Sequence, residues 1–332
     1  MIRYLILALT TRCQLQCRYC YNGNPASIED MTGDVLQKAI AMAADHDQGF
    51  HLQLTGGEPT LVPELIAQAA DMARKTGRCR SIGIQTNGIE LPPPLLELFK
   101  THRFQVGVSV DGPPAVQQQQ RGMAAETFRG LGLLESAGIP FRITTVVTQA
   151  NAARLDQLVL AVAGFSRARG IGLDLLVRKG RSRIASAVLP AEAHALKTGL
   201  QKMVATLDAV NARRQVPIRL RERDLVSNAG SNISAFCHAC RAQSVAVNPM
   251  GKLFPCGQTM GDPRYAAGTV WEPALDTLGS LSNCSPRNAR CDGCGLQGSC
   301  PGDCPSRLHY NRNENPGLVC DLYQALLETS PN

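Results

Sequence analysis

Three cysteines near the start of the chain are spaced for metal chemistry. Cys13, Cys17 and Cys20 lie in the stretch Thr-Thr-Arg-Cys-Gln-Leu-Gln-Cys-Arg-Tyr-Cys-Tyr-Asn, separated by three residues and then by two. A structural zinc wants four closed ligands, whereas three thiolates on one short loop suit an iron–sulfur cubane with one open iron. An open iron can bind and activate a small molecule. The alternative is a zinc loop whose fourth ligand lies elsewhere in the chain.

The other cysteines concentrate at the far end. The chain has 332 residues and 13 cysteines, nine of which fall between Cys237 and Cys320. They are Cys237-x2-Cys240, Gly251-x4-Cys256, Cys284, Cys291-x2-Cys294-x5-Cys300-x3-Cys304 and Cys320. A secreted disulfide framework would need an export signal. The opening run Met1–Thr10 has no basic region of any length and passes straight into the first cysteine loop, so it reads as a buried strand. No apolar run approaches the roughly 20 residues of a membrane span. The expectation is a reduced, cytoplasmic, oxygen-sensitive protein with no membrane partner. The net charge of +7 is mild, and the run Arg178-Lys179-Gly-Arg181-Ser-Arg183 reads as a solvated loop and not a nucleic-acid groove.

The elements that must position these groups follow an alternating pattern. Candidate strands are 4–9, 51–54, 81–85, 105–110, 142–147 and 172–176. Candidate helices lie near 33–45, 62–75, 93–100, 124–137, 153–163 and 190–213. Six β-then-α units predict an α/β fold, a partial (β/α)6 TIM-like barrel, with its chemistry on the loops that follow the strands. The cysteine loop follows the first strand. Gly56-Gly57-Glu58-Pro59 follows the second and Asn87-Gly88 the third, while Ser109-Val110-Asp111-Gly112-Pro113 ends the fourth. Two glycines let the backbone approach a ligand, and Glu58 could accept a hydrogen bond from an ammonium group. Asn87-Gly88 reads as a tight turn, and 144–148, all β-branched, as a buried strand. Ser109 and Asp111 read equally well as loop caps and as ligand contacts. Near 221–234 the pattern breaks into what reads as a linker, dividing the chain into domains at 1–225 and 226–332. In the second, 244–248 and 252–254 read as a hairpin that delivers Cys256 next to Cys240.

The first cysteine loop, with Tyr19 before its last cysteine, resembles the signature of radical S-adenosylmethionine (SAM) enzymes. The Gly56-Gly57-Glu58-Pro59 turn resembles their contact to the methionine amino group of SAM. Ser109-Val110-Asp111-Gly112-Pro113 followed by Arg121-Gly122 is similar to a stretch of peptide-modifying members. Those carry His-Asp where this chain has Gln117–Gln120. The order of cysteines over about 237–320 resembles the SPASM extension of the same family, a small cysteine-rich domain. This resemblance implies one SAM-binding [4Fe–4S] cluster on Cys13, Cys17 and Cys20, and two auxiliary clusters. The first auxiliary cluster would rest on Cys237, Cys240, Cys256 and Cys304, and the second on Cys291, Cys294, Cys300 and Cys320. The motif proper begins at Cys240, so Cys237 is the ligand the resemblance supports least. Taken alone, the C-terminal region is equally consistent with two zinc ribbons.

The resemblance further implies SAM contacts from Tyr19, Gly56, Gly57, Glu58, Asn87, Ser109 and Asp111. It implies reductive cleavage of SAM to a 5′-deoxyadenosyl radical and oxidation of a peptide or protein substrate. The electron would come from a reduced flavodoxin- or ferredoxin-type donor. A small-molecule dehydrogenase, or a non-catalytic metal module, are the competing classes. The formylglycine-forming branch places an acid directly after the cysteine of the Gly-x4-Cys unit, where this chain has Gly257. The first strand begins at residue 4, so a peptide would be recognised by the barrel, by a separate protein, or without a leader.

No catalytic residue is identified. Cys284 reads as a spare thiol before an alternative ligand or donor, and Cys79 as structural. His238 reads as a surface residue beside a cluster, His309 and Tyr310 as packing or substrate contacts, and Trp271, the one tryptophan, as core or interface packing.

Overall fold

The computed structural model describes residues 1–23, 27–184, 188–227, 236–282, 289–312 and 317–329. Strands and helices alternate as expected. In order they are β1 (Tyr4–Ala8), α1 (Gly33–Ala44), β2 (Phe50–Thr55), α2 (Pro63–Lys75), β3 (Cys79–Thr86), α3 (Pro93–Thr101), β4 (Gln105–Ser109), α4 (Pro114–Gln120) and α5 (Ala124–Ser136). There follow β5 (Phe141–Val147), α6 (Leu155–Ala163), β6 (Ala168–Leu175), α7 (Arg181–Ile184), α8 (Ala193–Asn211), β7 (Arg219–Leu220) and α9 (Arg221–Ser227). The cysteine-rich end supplies β8 (Ser244–Val247), β9 (Leu253–Phe254), α10 (Pro305–Asn311) and α11 (Leu318–Glu328). This is an α/β fold on a mainly parallel, unclosed sheet, with edges at β7 and β9. No described helix is long and apolar enough to cross a membrane.

The helices start where the sequence supplies a stop for the preceding loop. Thr32 caps α1 by accepting from the Val35 amide, and proline opens α2, α3 and α4. That position needs no amide donor, and the ring presets φ. The four-glutamine run, unassigned from sequence, lies in α4. Residues 221–227, expected to be linker, form α9. Buried Glu222 accepts from the Leu173 amide at 3.1 Å, which fastens that turn to β6. A polar composition at 221–227 hid a helix held by one inward carboxylate.

By contact the chain forms two compact units, neither of them a single stretch. The first comprises 1–15, 22–107 and 237–283; the second comprises 16–21, 108–236 and 284–332. In the first unit the strand order is β9-β8-β1-β2-β3. The expected hairpin is present, with Ala246 opposite Phe254, but its strand β8 also pairs parallel with β1, Tyr4 opposite Ser244. That ladder is why residues 237–283 belong with the first strands. In the second unit β5, β6 and β7 run parallel.

Strand alternation sorts the first unit's side chains between two faces. Leu5, Leu7, Leu52, Leu54, Ile82 and Ile84 are sealed in the core. The alternate positions Tyr4, His51, Gln53, Ser81 and Gln85 are only half-buried, and Tyr4, His51 and Ser81 stand in one register row. Trp271 is not core: it is 54% exposed, with its ring against Gly251. Truncating a sealed side chain leaves a cavity, so Leu52→Ala should lower stability by about 2–5 kcal/mol in urea unfolding. Ile28→Ala, at an exposed site, should change it by no more than about 0.5 kcal/mol. Equal effects would contradict this placement of the core.

Candidate functional site

In the first unit, the backbone leading to the cysteine loop lies against the Gly56-Gly57 turn. The Gly57 amide donates to the Thr10 carbonyl at 2.7 Å, and the Glu58 amide to the Arg12 carbonyl at 2.7 Å. A Cβ on Gly57 would sit 2.1 Å from the Arg12 carbonyl oxygen, and one on Gly56 would sit 2.5 Å from that of Thr10. The glycines are therefore required by the neighbouring backbone itself. Arg12 is further held by Asp30 through a 2.6 Å ion pair, and Asp30 also accepts from the Thr10 hydroxyl.

Glu58 points inward. It is 2% exposed. One carboxylate oxygen accepts from the Thr60 amide (3.2 Å), the Thr60 hydroxyl (2.8 Å) and the Thr86 hydroxyl (2.6 Å); the other accepts from the Asn87 amide (2.7 Å). Burial raises its pKa, and these four bonds oppose the rise. Glu58 thus ties the loops after β2 and β3 together. Asn87 makes the expected turn: its Oδ1 accepts from the Ile89 amide, and its Nδ2 donates to Gln14 Oε1 at 3.1 Å, one residue past Cys13.

In the second unit, Asp111 is the hub. It is 1% exposed. Its Oδ2 accepts from the Tyr19 hydroxyl and, at 3.1 Å, from Arg121 Nε. Its Oδ1 accepts from the Val146 amide at 3.0 Å and the Thr145 hydroxyl at 3.3 Å. The Arg121 guanidinium also lies 5.2 Å from the Tyr19 ring centroid. Burial would lower the pKa of that guanidinium, but the Asp111 charge more than reverses this and keeps it ionised. The glutamines that replace His-Asp act locally. Gln117 accepts from the Asp111 amide and donates to the Ser109 carbonyl, while the Gln120 side chain donates to the Thr148 hydroxyl. Ser109 itself is half-buried. Burial pushes the Cys17 thiol up in pKa and the Arg121 charge pulls it back.

The remaining cysteines divide between the units. Cys237, Cys240 and Cys256 lie in the first and Cys304 in the second. Cys237 and Cys240 sulfurs are 3.7 Å apart, and Cys237 feels the charge of Cys256. The Tyr4 ring stacks between His51 and His238, and its pKa is raised to about 12 by burial and then by Cys256 and Cys237. In the second unit, burial raises the pKa of the Cys300 thiol, and so do the charges of Cys320, Cys294 and Cys291. Cys300 with these three neighbours fits a four-thiolate donor set. Among the described residues no three His, Cys, Asp or Glu side chains gather tightly enough for a single ion, and Cys240 is engaged in a disulfide, so the first ligand set rests on spacing and the second on spacing and the thiols around Cys300. Cys304 precedes α10 as its N-terminal cap residue. Cys79 sits against the Ser81 carbonyl, as a structural thiol would. Cys284 lies outside the described residues.

Sequence reasoning missed the loop after β6. In the basic run expected in solvent, Arg178, Lys179 and Arg181 are half-buried and only Arg183 is exposed, and Arg178 and Arg181 donate to backbone carbonyls. It also missed Asn311, whose amide spans the Arg178 amide and the Leu176 carbonyl at 2.8 Å each. Tyr310 packs under Lys179 and beside His309. Nothing in the local sequence marks the contacts of Arg181 with Cys17, of Asn311 with Arg178 and Leu176, or of Tyr310 with Lys179, which join residues more than a hundred positions apart.

A family model described as the radical SAM superfamily matches residues 7–160. An uncharacterized protein of Methanocaldococcus jannaschii is 33% identical over 190 residues; the match covers 55% of this chain and 66% of that protein, just short of two thirds of its length. An AdoMet-dependent heme synthase of Methanosarcina barkeri is 26% identical over 92% of each chain. A serine-type anaerobic sulfatase-maturating enzyme of Klebsiella aerogenes is 26% identical over 91% of this chain and 79% of that one. Among solved structures, anSMEcpe with bound AdoMet and Cp18Cys peptide superposes with a TM-score of 0.79 at 20% identity, covering 99% of this chain and 96% of that one. Streptococcus suis SuiB bound to precursor peptide SuiA gives 0.68 at 16%, covering 95% and 74%. Both share this fold.

The inward Glu58 carboxylate gives a pH signature. Its raised folded-state pKa favours the protonated form, so its stabilising contribution is full below the ordinary Glu range and is lost as pH rises through the raised value. Across that window wild type should lose stability relative to Glu58→Gln, measured by urea unfolding at a series of pH values. Parallel profiles would contradict the buried placement.

Proposed function

We propose that this chain, which carries a radical SAM domain over residues 7–160, oxidises a side chain of a peptide or protein substrate, as a maturase that cross-links or dehydrogenates it. Radical SAM proteins related to peptide and sulfatase maturases are its kin. The observation that carries the reading is the anchoring of the cysteine loop. Its Arg12 end lies on the Gly56-Gly57 turn, and its Tyr19 end is fastened to buried Asp111. That is the architecture of a loop that must hold a reactive group still.

With a cluster on Cys13, Cys17 and Cys20, an electron from a flavodoxin- or ferredoxin-type donor would cleave SAM to a 5′-deoxyadenosyl radical that takes hydrogen from the substrate. The chain's own residues bind and orient. Gly56 and Gly57 offer close backbone, and Tyr19, Asn87 and Ser109 complete the SAM contacts. Glu58 and Asp111, which the resemblance also counts among the SAM contacts, have oxygens engaged within the protein and position the loops that carry the others. The core spans 1–225. The SPASM-like region, 226–332, would hold auxiliary clusters on Cys237, Cys240, Cys256 and Cys304 and on Cys291, Cys294, Cys300 and Cys320. They would accept the second electron of a two-electron oxidation.

The alignment over 92% of both chains with a protein named AdoMet-dependent heme synthase favours a second reading, oxidation of a small molecule. The decisive test is anaerobic: protein reconstituted with iron and sulfide, reduced, given SAM, and assayed for 5′-deoxyadenosine against the Cys13/Cys17/Cys20 triple-Ala variant. Turnover should occur and vanish in the variant. A loss of two hydrogens from a co-expressed short peptide supports the maturase. Turnover stimulated only by a metabolite supports the second reading. Bound zinc in place of iron would refute both.

A further inference from the structure

The start of α7 reaches back to the cysteine loop. The Arg181 amide donates to the Cys20 carbonyl at 3.0 Å, and its guanidinium Nη1 donates to the Cys17 carbonyl at 3.3 Å. The Cys17 carbonyl also accepts from the Cys20 amide at 3.2 Å. One residue therefore holds both ends of the turn that joins two thiols of the signature.

Arg181 is itself held in place. Fully buried Ser182 donates to the Val177 and Lys179 carbonyls at 2.9 Å, and Arg178 donates to the Val188 carbonyl at 2.8 Å. Asn311, at the end of α10, brackets the segment from the other side, accepting from the Arg178 amide and donating to the Leu176 carbonyl. A neutral donor would suffice to satisfy a carbonyl. A guanidinium adds a fixed positive charge beside two cysteines, and inside a half-buried site that charge is weakly screened.

We propose that Arg181 is a positioning residue for the cluster on Cys13, Cys17 and Cys20. It fixes the Cys17–Cys20 turn, and its charge favours the reduced cluster, which carries one more negative charge than the oxidised one. Charge and hydrogen bonding around ligands are the protein's main means of setting such potentials. The inference rests on the cluster reading above.

The test is an EPR-monitored redox titration of the reconstituted protein, following the signal that changes on adding SAM. In R181Q the ratio of reduced to oxidised cluster at one fixed poise should fall roughly tenfold, a 59 mV shift for one electron. R181K should stay within about threefold of wild type, since a fold below ten is less than that one-electron step. R183Q, the same charge change at an exposed neighbour, should not move it. If R181Q loses this cluster's iron while R181K keeps it, the cation's holding role is supported. Unshifted R181Q, equal shifts in R183Q, or iron loss in R181K as well would overturn the proposal. A wild-type protein with iron but no SAM-responsive signal would overturn the cluster reading itself.

Discussion

A buried carboxylate with a buried partner is the constraint on which the cysteine loop depends. Asp111 sits inside the protein, where an unpaired charge is costly, and the Arg121 side chain beside it is nine-tenths enclosed. Neither can be removed alone without stranding the other. The Tyr19 hydroxyl, two backbone-anchored donors from β5 and the guanidinium all converge on those two oxygens. A flexible loop carrying Cys17 and Cys20 is thereby given one position.

Glu58 works the same way in the first unit. It joins the turn after β2 to the turn after β3 through four bonds, and the glycines before it admit the backbone of residues 10–12. Both acids thus face inward. The loop chemistry divides between Cys13, the exposed thiol of the signature, and groups that hold the loop from behind.

Much of this was legible in the sequence. The six β/α units emerge from periodicity because one face of each strand is sealed by apolar side chains, as Leu52 and Leu54 show. The hairpin before Cys256 was marked by its Asn-Pro-Met-Gly turn. Helix α9 was not legible, because its one inward residue, Glu222, is charged and reads as surface. The pairing of β8 with β1 was not legible either: parallel partners some 240 residues apart leave no local pattern. The same holds for Arg181 and Asn311, long polar side chains whose targets are backbone carbonyls and amides, which every residue possesses.

Asp111 fixes the cysteine loop, and amide hydrogen exchange over that loop reads this out. In Asp111→Asn the charge that holds Tyr19 and Arg121 is gone while the shape remains. Exchange at residues 16–21 should then accelerate by about tenfold or more, with β2 unchanged, because the loss is local and not global. Unaltered exchange over 16–21 would mean that the loop is held by something else, and would contradict the account.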